Sequence, residues 1–156
     1  MKPILAIGML IAGVTAFGVQ ATPDLEGGTW RCQRTDTPNG VQEWTSYTFH
    51  TNGTISSQEW LRNKENNKVV LEFTLSVNYS YHNNGEEFVL RPIELARDIT
   101  VDYYNIDPFN YDSRRDLLGY RIFFQPQFDG NDRAEFDMRH HITPEQPFSL
   151  SCTRKA

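Results

Sequence analysis

Histidine side chains bind metal ions and transfer protons near neutral pH, and this sequence contains four of them. His140 and His141 are adjacent, so in a β-strand their rings point to opposite faces and cannot hold one metal ion together. His50 and His82 lie beside predicted turns, and no spacing of His, Asp or Glu matches a metal-binding motif. The sequence therefore predicts no metal site and no cofactor.

Acidic residues outnumber basic ones, with 20 Asp and Glu against 15 Lys and Arg and a net charge of −5. This balance disfavours nucleic acids and anionic membrane surfaces as partners. No carboxylate pair has a spacing that indicates acid–base catalysis, and the sequence lacks nucleophile, phosphate-binding and dinucleotide-binding motifs. We therefore predict no catalytic residues and a non-enzymatic protein. An enzyme remains open only as a site assembled from scattered residues.

The first 21 residues have the pattern of a secretory signal peptide. A short positive start precedes an apolar run from Ile4 to Val19, and small residues lead to Ala21. The run is too short for a convincing membrane span, and no cysteine follows the cleavage point to carry a lipid. We predict a cleaved segment 1–21, a single domain over residues 22–156, and a periplasmic or secreted bacterial protein without a membrane anchor.

The two cysteines, Cys32 and Cys152, lie near opposite ends of the predicted domain. In an exported chain two cysteines indicate one disulfide, and two buried free thiols are the alternative. If the first and last strands pair antiparallel with the cysteines opposite each other, Trp30 faces Arg154 on the same side of the sheet. A guanidinium group over an indole ring then stabilises this closure by about 0.5–2 kcal/mol.

Apolar and polar residues alternate along most of the chain after Gly28, which is the pattern of β-strands. The strand at 69–81 is the clearest, and its length is typical of a sheet that curls into a barrel. Pro92 and Pro126 are expected to end regular pairing. The predicted strands cover residues 29–34, 44–50, 55–62, 69–81, 87–91, 98–104, 120–125, 133–141 and 148–154.

Short connections between successive strands predict an antiparallel meander, and pairing of the first strand with the last closes it. The predicted fold class is therefore all-β: a single antiparallel up-and-down barrel of eight or nine strands, closed by a disulfide between the N-terminal and C-terminal strands. A strongly bent sheet or a sandwich without a cavity is the alternative.

Gly28-Thr29-Trp30 in the first strand and Arg154 in the last resemble the signature of the calycin barrels, which include the lipocalins and the fatty-acid-binding proteins. In those families the tryptophan lies at the closed end of the barrel and a late arginine packs across it. The chain departs from both groups, because the loop after the first strand is too short for a two-helix lid and no helix is predicted after the last strand. The resemblance implies a lipocalin-like barrel that holds a small apolar molecule.

Inward-facing residues of such a barrel would line a cavity for a small hydrophobic ligand. The candidates for this lining are Phe73, Leu75, Val77, Tyr79, Phe136, Met138 and His140. Because His140 shares a face with Phe136 and Met138, we expect it either to orient a ligand or to bond to the backbone. The alternative is a core filled by side chains, which a barrel of about eight strands can accommodate.

The segment from Asp107 to Leu118 interrupts the alternation and is the candidate lid or contact loop, with a plain connection as the alternative. Its aromatic and basic residues are Phe109, Tyr111, Arg114 and Arg115. Two functions remain open. One is an exported, non-enzymatic protein that binds a small apolar or amphipathic ligand. The other is an inhibitor or immunity-type module of the bacterial envelope, which would bind a protein partner through residues 35–42 and 107–118 on a filled barrel.

Overall fold

The computed structural model describes residues 24–107 and 118–156, which form eight β-strands. No helix in these two ranges is long and apolar enough to cross a membrane. The predicted signal peptide and the lid candidates Phe109, Tyr111, Arg114 and Arg115 lie outside the described residues. The strands are β1 Thr29–Arg34, β2 Val41–Phe49, β3 Thr54–Glu65, β4 Lys68–Asn83, β5 Phe88–Asp102, β6 Ile122–Asp129, β7 Arg133–His140 and β8 Phe148–Lys155.

The strands pair in sequence order, and β1 also pairs with β8, so the sheet closes into an antiparallel barrel. In this closing ladder Cys32 faces Cys152, and the two residues form a disulfide. Trp30 faces Arg154 in the same ladder, in the register that the strand arithmetic predicts. The predicted fold class is confirmed, and the alternative of an open bent sheet or a sandwich is wrong.

The predicted strands at 87–91 and 98–104 are one continuous strand, β5, and Pro92 lies within it rather than at its end. Pro126 likewise lies within β6. The physical reason is that β5 and β6 share only three facing pairs, at residues 88–90 of β5. Both prolines lie beyond these pairs, where a missing N–H group interrupts no ladder between the two strands.

Large aromatic side chains fill one end of the barrel. Trp30 is completely buried, and its ring centroid lies 6.0 Å from that of Phe136. Phe136 also packs against Phe49 and Phe124, with centroids 6.2 and 5.5 Å away. The guanidinium group of Arg154 covers the indole, 5.1 Å from the ring centroid. This end of the barrel is therefore a packed core.

Gly28 lies directly beneath the Arg154 side chain. A Cβ atom at this position would be 3.0 Å from Nη2 of the arginine. The same nitrogen donates a hydrogen bond to the carbonyl oxygen of Asp24, so the chain that enters β1 is fixed across the end of the barrel. The Gly28-Thr29-Trp30 pattern has a physical cause in this chain, since the smallest residue leaves room for the arginine that covers the tryptophan.

Replacement of Gly28 by alanine tests this packing. The new methyl group displaces the guanidinium from the Trp30 ring, so we expect the free energy of unfolding to fall by about 1–2 kcal/mol in urea titrations. Gly119→Ala is the matched control, because a Cβ atom there meets nothing within 4 Å. If the two variants have equal free energies of unfolding, the packing of Arg154 over Trp30 does not require a glycine at position 28.

The disulfide joins residues that are 120 positions apart. Closure of so long a loop restricts the unfolded chain, which corresponds to about 4–5 kcal/mol in the chain-entropy model and less where the reduced state keeps structure. The double variant Cys32→Ala with Cys152→Ala should therefore lose several kcal/mol of unfolding free energy. The control is the native sequence with and without a thiol reductant. A double variant as stable as the oxidised protein would contradict a stabilising role for the bond.

Candidate binding cavity

A cavity of about 450 Å³ opens inside the barrel on the other side of the disulfide from Trp30. All eight strands contribute to its lining. Leu75 and Val77 of β4, Met138 of β7 and Leu150 of β8 supply apolar surface. These residues lie on the inner face of the sheet, because side chains two positions apart on a strand share a face. The barrel is therefore packed at one end and hollow at the other.

Two glutamates also line the cavity. On the ladder between β2 and β3, Glu59 faces Thr45, and Glu43 faces Leu61. Residues offset by two positions on neighbouring strands share a face, and their Cβ atoms lie roughly 7–8 Å apart or somewhat less. The two carboxyl groups are therefore neighbours on the inner wall.

The two carboxyl groups have different surroundings. Glu43 accepts a hydrogen bond of 3.2 Å from the Thr37 hydroxyl, and its oxygen lies 4.0 Å from Nε of Arg34. Arg34 is itself held by Asp36, with Nε 3.0 Å from the carboxylate. Within residues 24–107 and 118–156, no side chain donates a hydrogen bond to Glu59 or forms an ion pair with it.

The pKa of Glu59 is raised to about 7, mainly by burial and next by the nearby Glu43 carboxylate, while Arg34 acts in the opposite direction. Burial is also the main reason why the pKa values of Tyr47 and Tyr79 lie above the ordinary tyrosine value, with a contribution from the negative charge of Glu59. Both phenols are consequently protonated at neutral pH. Glu59, with its pKa of about 7, changes charge near neutral pH.

His140 lies across the cavity on β7. Its ring stacks on Phe148, with centroids 5.3 Å apart, and meets Tyr120 edge-on at 5.9 Å. Nδ1 of His140 is buried and has no hydrogen-bond partner in the described part of the chain. Burial lowers the pKa of His140, and the neighbouring His141 and Arg34 lower it further. The ring is therefore neutral at neutral pH, and its predicted role in orienting a ligand stays a prediction.

Five of the seven predicted lining residues surround the cavity: Leu75, Val77, Tyr79, Met138 and His140. The other two face inward but lie elsewhere. Phe136 is 1% exposed in the aromatic core around Trp30, and Phe73 is 5% exposed in the core cluster. Alternation identifies the inner face of a strand, but it does not give the depth of each residue along the barrel axis.

Sequence reasoning missed the two glutamates because charged residues ordinarily face solvent, and because β2 and β3 also carry large aromatic residues on the outer face. Trp44 stacks on Trp60 there at a centroid distance of 6.3 Å. The guanidinium group of Arg31 covers Trp44 at 3.4 Å. The inner face of β3 instead combines the buried Ile55 with Glu59. Glu59 lies four residues after Ile55 and therefore shares its inner face, which is the sequence signal that could have identified it.

The described residues contain no group of three His, Cys, Asp or Glu side chains that could hold a metal ion. The chain matches no protein-family model, and no curated protein matches it in sequence. The resemblance to the calycin barrels therefore stays a prediction based on Gly28-Thr29-Trp30 and Arg154.

Stability should depend on pH through Glu59. Because its pKa is about 7 in the folded protein and 4.5 as a free side chain, the folded state binds the proton more tightly. The free energy of unfolding should fall as the pH rises from about 5 to 8. Glu59→Gln removes this ionisation, so the variant should exceed the native protein by about 1–3 kcal/mol at the upper pH and match it at the lower.

Urea titrations at several pH values measure this difference. Protonation of His140 affects both proteins equally, so the comparison isolates the glutamate. Equal pH dependence of the two proteins would mean that the Glu59 carboxyl group titrates as if it were in water.

Proposed function

We propose that this is an exported, non-enzymatic binding protein that holds a small apolar or amphipathic molecule inside its barrel. The observation that carries the proposal is the cavity of about 450 Å³ within a closed barrel. Ligand-binding cavities of proteins typically have volumes of about 300–1,000 Å³, and they combine apolar walls with a few polar groups. The cavity has both kinds of lining, so it suits a molecule with an apolar body and one polar end.

The packed end of the barrel supports the same function. Trp30, Phe136 and the residues around them fill the interior below the cavity, which sets how deep a ligand can enter. A core that is already packed without the ligand also lets the cavity exist in the free protein. Binding then has little folding cost, because the walls are ordered before the ligand arrives.

Export is part of the proposal and is supported by two observations. Residues 1–21 have the pattern of a signal peptide, and the two cysteines form a disulfide. Disulfides persist in the periplasm and outside the cell, whereas the bacterial cytoplasm keeps thiols reduced. The proposal is therefore that the protein acts in the periplasm or in the medium.

A second candidate function is the envelope interaction module that binds another protein. It is favoured by an exposed apolar group at the end of β5, where Tyr103, Tyr104 and Ile106 are each more than half exposed. These residues immediately precede the segment that contains Phe109 and Tyr111. In this alternative the outer surface makes the contact and the cavity plays no part.

Replacement of Leu75 by arginine separates the two functions. Position 75 faces Glu59 on the ladder between β3 and β4, so the arginine fills the cavity beside that carboxyl group. Binding of the neutral fluorescent probe N-phenyl-1-naphthylamine should therefore be lost or weakened at least roughly tenfold. Ser76→Arg is the matched control, because the neighbouring residue on β4 is exposed on the outer face. Circular dichroism verifies that both variants are folded, and Met138→Trp serves as a cavity-filling variant without a charge.

Native mass spectrometry of the protein from its host provides an independent test. A bound molecule that leaves on denaturation, and that is absent from the Leu75→Arg variant, supports the binding function. Failure of the native protein to take up the probe, together with a native mass equal to that of the chain, would contradict it.

A further inference from the structure

The cavity has an excess of negative charge. Its described lining contains two glutamates, Glu43 and Glu59, and one arginine, Arg34. The arginine is already engaged, because its Nε lies 3.0 Å from the Asp36 carboxylate and 4.0 Å from that of Glu43. His140 on the opposite wall adds no charge at neutral pH, since burial lowers its pKa. When Glu59 is ionised, Arg34 offsets part of its charge from a distance, but no described side chain forms an ion pair with it.

The Glu59 side chain is half-buried and has no ion-pair partner among the described residues. An ionised carboxylate loses solvation when it leaves water, and a protein ordinarily compensates this loss with an ion pair or with hydrogen bonds. Glu59 has neither an ion pair nor a side-chain hydrogen bond among the described residues. An apolar residue at this position of the cavity wall would not need such a partner. A cation in the cavity would supply the missing partner.

The rest of the lining suits an organic cation. Tyr47 and Tyr79 lie in the same cavity as Glu59, and Tyr120 and Phe148 line its opposite wall. The faces of aromatic rings attract ammonium groups, by about 0.5–2 kcal/mol according to how dry the site is. Leu75 and Val77 provide the apolar surface that an inorganic ion would leave unused.

We propose that the ligand is an amphipathic cation: an ammonium group on an apolar body about the size of one or two fused rings, with the ammonium held between Glu59 and Glu43. This inference rests on the proposed binding function and specifies its ligand class. The apolar body lies against Leu75, Val77 and Met138, and the tyrosine rings surround the positive end.

Three compounds with the same ring and nearly the same length test this proposal. Tryptamine is a cation, tryptophol is neutral and indole-3-acetate is an anion. Isothermal titration calorimetry at about pH 8, where Glu59 is mostly ionised, should give at least a tenfold tighter dissociation constant for tryptamine than for tryptophol. Indole-3-acetate should bind most weakly, because its carboxylate would lie beside the two glutamates.

Two variants locate the effect. Glu59→Gln keeps the shape of the side chain and removes its charge, so tryptamine should lose roughly tenfold in affinity while tryptophol is unchanged. Glu135→Gln removes the same charge from the outer face of β7 and is the matched control, because Glu135 is exposed. Its affinities for all three compounds should equal those of the native protein.

The affinity for tryptamine should also rise with pH. Tryptamine stays protonated between about pH 5.5 and 8, whereas Glu59 becomes ionised in that range. The groups that face Glu59 are Glu43 and Tyr47 on β2, Arg34 on β1 and Tyr79 on β4. Because the pKa of Glu59 is about 7, most of the rise should be absent from the Glu59→Gln variant.

The outcomes distinguish the ligand class from the binding function. If tryptophol binds but tryptamine binds no better, or if the anion binds best, the cation proposal is wrong and the binding function stands. If no indole compound binds at millimolar concentration while N-phenyl-1-naphthylamine does, the cation proposal is again wrong. If neither the indoles nor the naphthylamine bind, both proposals fail.

Discussion

The rest of the structure depends on the ladder between β1 and β8. This ladder turns a meander of eight strands into a closed barrel, and Cys32 and Cys152 face each other within it. Trp30 and Arg154 lie on one side of the disulfide and contribute to the packed end. Residues on the other side of the disulfide belong to the cavity. A single pair of strands therefore determines the closure of the barrel and the boundary between its filled and hollow parts.

The two ends of the interior also differ in charge. Around Trp30 many of the inner residues are aromatic, and Arg154 covers the indole ring and binds a backbone carbonyl. At the other end Glu43 and Glu59 lie among apolar and aromatic side chains. The packing of Arg154 over Trp30 stabilises the fold. The two glutamates, in contrast, place charged groups inside the barrel, where an apolar core would be more stable. Such a local conflict with good packing is typical of a functional site.

The closure of the barrel was predictable because it follows from local geometry. Once two cysteines are paired in antiparallel strands, the partners of Trp30 and Arg154 follow from alternation alone. The continuity of β5 through Pro92 was not predictable, since it depends on how few residues β6 pairs with. Glu59 was also missed, because charged residues ordinarily face solvent and the neighbouring Trp60 suggests the opposite face as the buried one. Residue type indicates a preferred environment, but in a two-faced strand the whole sheet decides which face is inside.

The short ladder between β5 and β6 has a consequence for the way the barrel moves. A closed barrel can widen only where two neighbouring strands separate, and each such line of contact is a seam of the barrel. The seam between β1 and β8 is held covalently, whereas the seam between β5 and β6 is held by three facing pairs. Local opening follows the weakest cooperative unit of a protein. The disulfide prevents separation of β1 from β8, so the ladder beside Leu90, which has the fewest facing pairs among the described strands, is where the wall should open first.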